Sequence, residues 1–142
     1  MLANPAVRLF AVVYLILVLK MVAVGAYTSI LRIGRKVYAT PEDYAFQQLA
    51  RQVELDADIE RVRRAHRNDL ENILPFFGVG LLYALSHPSM TMARIYFIGY
   101  GVARVLHSLF YIRSMQPHRT AAFGVALLLM LSMLLTTLVS LL

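Results

Sequence analysis

PAVRLFAVVYLILVLKMVAVGAYTSIL, Pro5 to Leu31, is broken by charge only at Arg8 and Lys20. A helix rises about 1.5 Å per residue, so a run of this length crosses a hydrocarbon core of roughly 30 Å. Reading it as a membrane helix decides the fold class, because lipid offers no water to open backbone groups and only helices or closed barrels span it. The run is longer than a secretory-signal core and has no small-residue cleavage pattern after a short apolar region, so retention is expected. Composition agrees: 142 residues, one domain in length, are 59% hydrophobic with a mean hydropathy of +0.63. A soluble globular domain is about 45–50% apolar.

Working outward, the second apolar run, Ile73 to Ser86, is too short to span alone, but the helical pattern reaches back to Asp58 without a breaker. One helix, half charged and half apolar, is predicted there. Pro75 inside it demands a local kink or a neighbouring helix that covers the freed backbone group. The Ser86-His87-Pro88-Ser89 turn leads into a third run, Met90 to Ile112, with Arg104 in its interior, and after Gln116-Pro117-His118 a fourth, Ala121 to Leu142, is apolar apart from hydroxyl residues. The expectation is an all-α membrane protein, a four-transmembrane-helix bundle in one domain over residues 1–142, with helices near 5–31, 58–86, 90–114 and 119–142 and a loop near 32–57. Within that loop Thr40-Pro41-Glu42-Asp43 has the cap and the N1 proline of a turn or helix start.

The 14 Lys and Arg against 8 Asp and Glu give a net charge of +6. They sit beside or inside apolar runs rather than in one solvated patch, so nucleic acid is not the expected partner. Every acidic residue falls between Arg32 and Glu71. Arg32, Arg35, Lys36, Arg51, Arg61, Arg63, Arg64 and Arg67 flank the first connection, and Arg113 and Arg119 the third, which puts both in the cytoplasm by the positive-inside rule, with both termini opposite. The membrane expected is a bacterial inner membrane or the endoplasmic reticulum. No cysteine is present, so disulfides and a cysteine nucleophile are excluded and any thiol must be borrowed. His66, His87, His107 and His118 lack ligand spacing, and no metal is expected.

Chemistry is expected where charge meets the bilayer. Arg64, Asn68 and Glu71 recur at i, i+4, i+7 with Arg67 beside them, and Arg104, His107, Ser108 and Tyr111 form a second polar stripe on the third run. An intramembrane arginine costs a few kcal/mol or more unless paired or hydrated, so Arg104 must face the protein interior or a water cavity. Two facing stripes would enclose a small zwitterion, with arginines for carboxylates and a glutamate for an ammonium. The plainer readings are snorkelling arginines on the second helix and a structural Arg104–Glu71 pair. Lys20 reads as an interior ion-pair partner of an acid on the second helix. Intramembrane Arg104 and Lys20 also suit a transporter or proton relay, a reading weakened by the lack of broken-helix signals.

The stretch Glu60 to Phe76, ERVRRAHRNDLENILPF, resembles the signature of the membrane-associated proteins in eicosanoid and glutathione metabolism, closest to their microsomal glutathione transferase and prostaglandin E synthase branches. Further similarity lies in Arg35 to Asp43, in Gly80-Leu81-Leu82-Tyr83, in Arg104, His107 and Tyr111, and in Pro117 followed by Arg119. The resemblance implies a homotrimer that binds glutathione between subunits near the cytoplasmic end, with no metal. It implies that Arg32 comes from the adjacent subunit, that Arg67, Asn68, Glu71, His107, Tyr111 and Arg119 line the tripeptide, and that Arg64 and Arg104 support them. Arg119 is the implied catalytic residue, with Thr120 as a second donor, and Asp43 matches an aspartate implicated in the synthase branch.

Tyr44 stands where the transferase branch has a modifiable cysteine, so activation by thiol modification is not expected; Phe123 and Thr120 replace a tyrosine and a serine of the synthase branch. The activity implied is transfer of glutathione to hydrophobic electrophiles that enter from the membrane lipid, with reduction of lipid hydroperoxides beside it. The alternatives are a glutathione-dependent isomerase of the prostaglandin E synthase kind and a non-catalytic lipid-binding scaffold. Retention of Arg67, Glu71, Tyr111 and Arg119 argues against the scaffold.

Overall fold

The computed structural model describes residues 3–50, 54 and 56–142; Arg51, counted above among the loop cations, lies outside the described residues. Among the described residues five helices follow in order: α1 (Pro5–Arg35), α2 (Pro41–Phe46), α3 (Ala57–Leu85), α4 (Met90–Ile112) and α5 (His118–Leu141). Four of the five starts have a side-chain cap, and α5 follows Pro117 without one. Asn4 Oδ1 accepts from Ala6 N with Pro5 in the first turn, Thr40 Oγ1 accepts from Asp43 N ahead of Pro41, Asp56 Oδ1 accepts from Asp58 and Ile59 N, and Ser89 Oγ accepts from Met92 N.

Two ends differ from the sequence expectation. α1 continues a full turn beyond Leu31, because nothing in Arg32-Ile33-Gly34-Arg35 breaks it; it stops where Lys36 turns left-handed (φ 56°) and Val37 N bonds back to Arg32 O at 3.0 Å. α4 ends at Ile112, where Ser114 (φ 58°) closes the same kind of turn through Met115 N to Phe110 O at 2.8 Å.

α3 packs against α1, α4 and α5, and α4 also against α1 and α5, whereas α1 and α5 do not touch among the described residues. α1, α4 and α5 are long and apolar enough to cross a membrane. α3 is not, since its first half is charged. An aromatic core joins the helices: Phe76 stacks on Tyr100 with centroids 3.9 Å apart, and Phe10 and Phe97 close around it. Gly80 is required by this closeness, because a Cβ there would stand 2.6 Å from the Phe10 ring. Near Pro75 the carbonyls of Asn72 and Asn68 accept from α4, from Tyr100 Oη at 2.7 Å and Arg104 Nη2 at 3.1 Å, while the carbonyl that Pro75 itself frees is that of Glu71, four residues back.

Candidate functional site

Residues 62, 65, 69, 73, 76, 80 and 83 form the buried stripe of α3 at helical spacing, and Asp69 is its one carboxylate. Asp69 Oδ1 accepts from Arg104 Nη2 at 2.7 Å, both oxygens lie 3.2 Å from Ser108 Oγ, and Lys20 Nζ stands 2.5 Å from Oδ2. One anion thus ties α1, α3 and α4. Arg104 and Asp69 are fully buried, and Lys20 nearly so. Lys20 meets an acid of the second predicted helix, as its interior position demanded.

The partner of Arg104 is therefore Asp69, which corrects the Arg104–Glu71 pair. Successive helical residues point about 100° apart, so Glu71 lies about 200° round from Asp69. It is exposed, and so is Arg67, 3.8 Å away. The two polar stripes do not face one another within the chain. Only Asn68 bridges them, half-buried, with Oδ1 accepting from Arg104 Nη2 at 2.9 Å. Arg104 stands behind Asn68 rather than on a cavity wall.

Between α1 and α3 lies an open cavity of about 530 Å³, walled by Gly25, Thr28 and Ser29 on one side and by Arg63, Arg64 and Arg67 on the other, with Arg32 at its edge. Small residues on α1 leave the room, and the arginines make it electropositive. Arg63 is paired with Glu60 at 2.5 Å, while Arg32 and Arg64 have no carboxylate partner among the described residues. Fork-shaped donors with no partner suit a carboxylate or other oxyanion. Arg32 shares this groove with Arg64 and Arg67 of its own chain.

The α1 and α3 ends that shape the groove are clamped from outside. Arg35 Nη1 donates to both Asp56 oxygens at 2.7 Å and Nη2 to Asp58 at 2.8 Å. The Arg35 guanidinium holds the Asp56 carboxyl below its ordinary range, helped by the Ile59 N–H, and lowers Asp58 in the same way, helped by Arg61.

A second cluster forms where α4 meets α5. The Arg119 guanidinium lies 4.4 Å from the centroid of the Tyr111 ring, a cation–π distance, and His107 packs between Tyr111 and Phe123 at 5.6 and 6.0 Å. Gln116 sits between Arg119 and Thr120. The amide orientation that satisfies both has its oxygen accepting from Arg119 Nε at 3.0 Å and its nitrogen donating to Thr120 Oγ1 at 2.9 Å. The Thr120 O–H is thereby left as a donor.

The expected site residues therefore fall into two groups: Arg32, Arg64, Arg67 and Glu71 along α1 and α3, and His107, Tyr111, Arg119 and Thr120 at the α4–α5 end. Asn68 and Arg104 lie between. Asp43 joins neither: it is exposed on α2, which packs against none of the long helices among the described residues. Beside it Tyr44 is buried, edge-on to Tyr38, and its hydroxyl accepts from Tyr38 N at 3.0 Å. Sequence reasoning missed Asp69 and Gln116. A lone carboxylate on an otherwise apolar helical stripe signals the first; nothing short of the folded turn signals the second.

Known proteins resemble the chain over most of its length. The chain is 41% identical over 135 residues to microsomal glutathione S-transferase 1 of Mus musculus, covering 92% of this chain and 87% of the relative. It is 42% identical over 129 residues to the Homo sapiens protein of the same name, covering 87% and 83%. To prostaglandin E synthase of Equus caballus it is 35% identical over 130 residues, covering 89% and 83%. The profile of the MAPEG family matches residues 10–139, nearly the whole chain, and with these relatives it makes the chain a member of that family.

Proposed function

We propose that the chain is a membrane-bound glutathione transferase that works as a homotrimer. The observation that carries this reading is the division of the candidate residues: an electropositive groove on α1 and α3, and a guanidinium–aromatic cluster on α4 and α5 none of whose residues lines that groove. A neighbouring copy would complete the site. Glutathione has the complementary chemistry, with two carboxylates for Arg32, Arg64 and Arg67 and an ammonium for Glu71. Asn68, His107 and Tyr111 orient the tripeptide. α3 is the fourth membrane crossing in this reading, through its apolar half, and the groove lies at the cytoplasmic end.

Catalysis rests on Arg119. A thiol of pKa about 8.5 is only a few per cent ionised at neutral pH, and lowering that value by about two units requires roughly 2.7 kcal/mol in favour of the anion. A guanidinium in a partly desolvated site supplies stabilisation of this order, and the Thr120 O–H is a second donor. The thiol proton leaves to water, the thiolate sulfur bonds to the electrophilic carbon, and the leaving group departs with its electron pair. The same thiolate can attack the terminal hydroperoxide oxygen, breaking the O–O bond and releasing the alcohol, and a second glutathione then displaces water from the resulting sulfenic acid to give the disulfide. Asp43, exposed on α2 apart from both groups, is assigned no step in this reading.

The transferase is placed ahead of the isomerase because the relatives named glutathione S-transferase are the more similar, at 41% and 42% against 35%. The test is turnover of the purified protein with glutathione and an aryl halide. Conjugate that depends on both is expected; glutathione binding without conjugate or other turnover would leave the scaffold.

A further inference from the structure

We propose that Asp69 is a positioning residue that, through Arg104, fixes the side-chain amide of Asn68 as a hydrogen-bond donor to the ligand. This rests on the glutathione reading above. Arg104 Nη2 donates at once to Asp69 Oδ1 at 2.7 Å and to Asn68 Oδ1 at 2.9 Å. An arginine has no acceptor, so the atom of Asn68 that meets it must be the oxygen. The Asn68 nitrogen is then turned away from Arg104, and it has no partner within the chain among the described residues. Asn68 is half-buried and lies one helical turn from the groove residue Arg64.

The amide orientation is only as secure as Arg104. Asp69 secures it: both groups are fully buried, Lys20 and Ser108 hold the carboxylate from α1 and α4, and the Asn68 carbonyl takes a further bond from Arg104 at 3.1 Å. A chain of charge-assisted hydrogen bonds thus runs from the core to a ligand-facing NH2. It selects an acceptor, a peptide carbonyl or carboxylate oxygen, and rejects a donor at that position. An asparagine without such a partner could present either end.

The test is calorimetry and steady-state kinetics with glutathione on the full-length protein in detergent. Asn68→Asp keeps an acceptor for Arg104 and removes the donor: an unchanged thermal transition with glutathione affinity weakened about tenfold or more is expected. Wild-type affinity in this variant overturns the proposal, and so does unfolding of it. Lys20→Met with Asp69→Asn removes one cation and one anion together and so holds the cluster's net charge. It should raise the KM for glutathione while leaving kcat at saturation within about twofold, the pattern of lost ground-state binding. In the Asn68→Asp background the same pair should cost no further affinity; losses that add show that Asp69 acts on folding rather than through Asn68. Should the pair fail to fold, Ser108→Ala, which loosens Asp69 without changing charge, replaces it: a raised KM for glutathione that vanishes in the Asn68→Asp background is expected, and a wild-type KM overturns the role of Asp69. A wild-type protein that binds no glutathione is a separate result: it removes the functional reading, and the proposal with it, before any variant is compared.

Discussion

Arg104 Nη2 and Asp69 Oδ1 meet at 2.7 Å with both side chains completely buried, and Lys20 meets the same carboxylate from α1. Asp69→Ala leaves two buried cations without an anion. Breaking a buried pair in this way costs about 3–5 kcal/mol, so the thermal transition in detergent should fall sharply. Lys20→Met should cost far less, because Asp69 keeps Arg104 and Ser108. Equal losses in the two variants would show that Asp69 depends on Lys20 as much as on Arg104.

Arg119→Leu should keep measurable glutathione affinity but lose the ultraviolet thiolate signal and most turnover at neutral pH. The thiol's pKa returns to its ordinary value in this variant, so activity should recover in part as pH rises towards about 8.5. An unchanged thiolate titration would move the catalytic role to the Tyr111 hydroxyl.

Arg67 and Glu71 are exposed in the single chain, and a surface pair of this kind adds at most about 1 kcal/mol to stability. Replacing either by alanine should therefore leave the melting temperature alone. Their value lies in the ligand site: each variant should weaken glutathione binding by about 2 kcal/mol or more, the cost of truncating one partner of a buried charge pair. Wild-type affinity in both variants by calorimetry would exclude them from the site.

In the proposed reading a neighbouring copy completes the two-part site, so native mass spectrometry of the detergent-solubilised protein should report a trimer, and monomers alone would contradict it. The topology is tested by single cysteines, which face no background because the chain has none. Gln48→Cys and Leu142→Cys should react from opposite sides of the membrane.

The Arg35 clamp on Asp56 and Asp58 gives a pH dependence of definite sign. Both carboxyls are lowered in the folded state, so the clamp is fully present above the ordinary aspartate value of about 3.9 and is lost only as pH falls through the depressed range. The protection of the Val37 and Ile59 amides, corrected for the pH dependence of intrinsic exchange, should hold from neutral pH down to about pH 5 and should fall below about pH 4. A loss of protection already at pH 6 would point to another group.

Local chemistry written along the chain determined the helices: apolar runs long enough to span, and Asn4, Thr40, Asp56 and Ser89 as side-chain caps with Pro5 and Pro41 behind two of them. The helix-capping and periodicity rules act over three or four residues, so they are legible without a fold. The same motif from Glu60 to Phe76 carried the family. What periodicity does not contain is which helix each face meets. Asn68 and Asp69 are neighbours in sequence, yet only the packing of α4 against α3 made Asp69 the partner of Arg104 and turned Glu71 outward. The Gln116 link to Arg119 and Thr120 likewise exists only once the α4–α5 turn has closed. Tertiary structure decided these because a buried charge takes whichever counter-charge the interhelical geometry brings within hydrogen-bond reach, and that geometry is set by packing across the whole bundle.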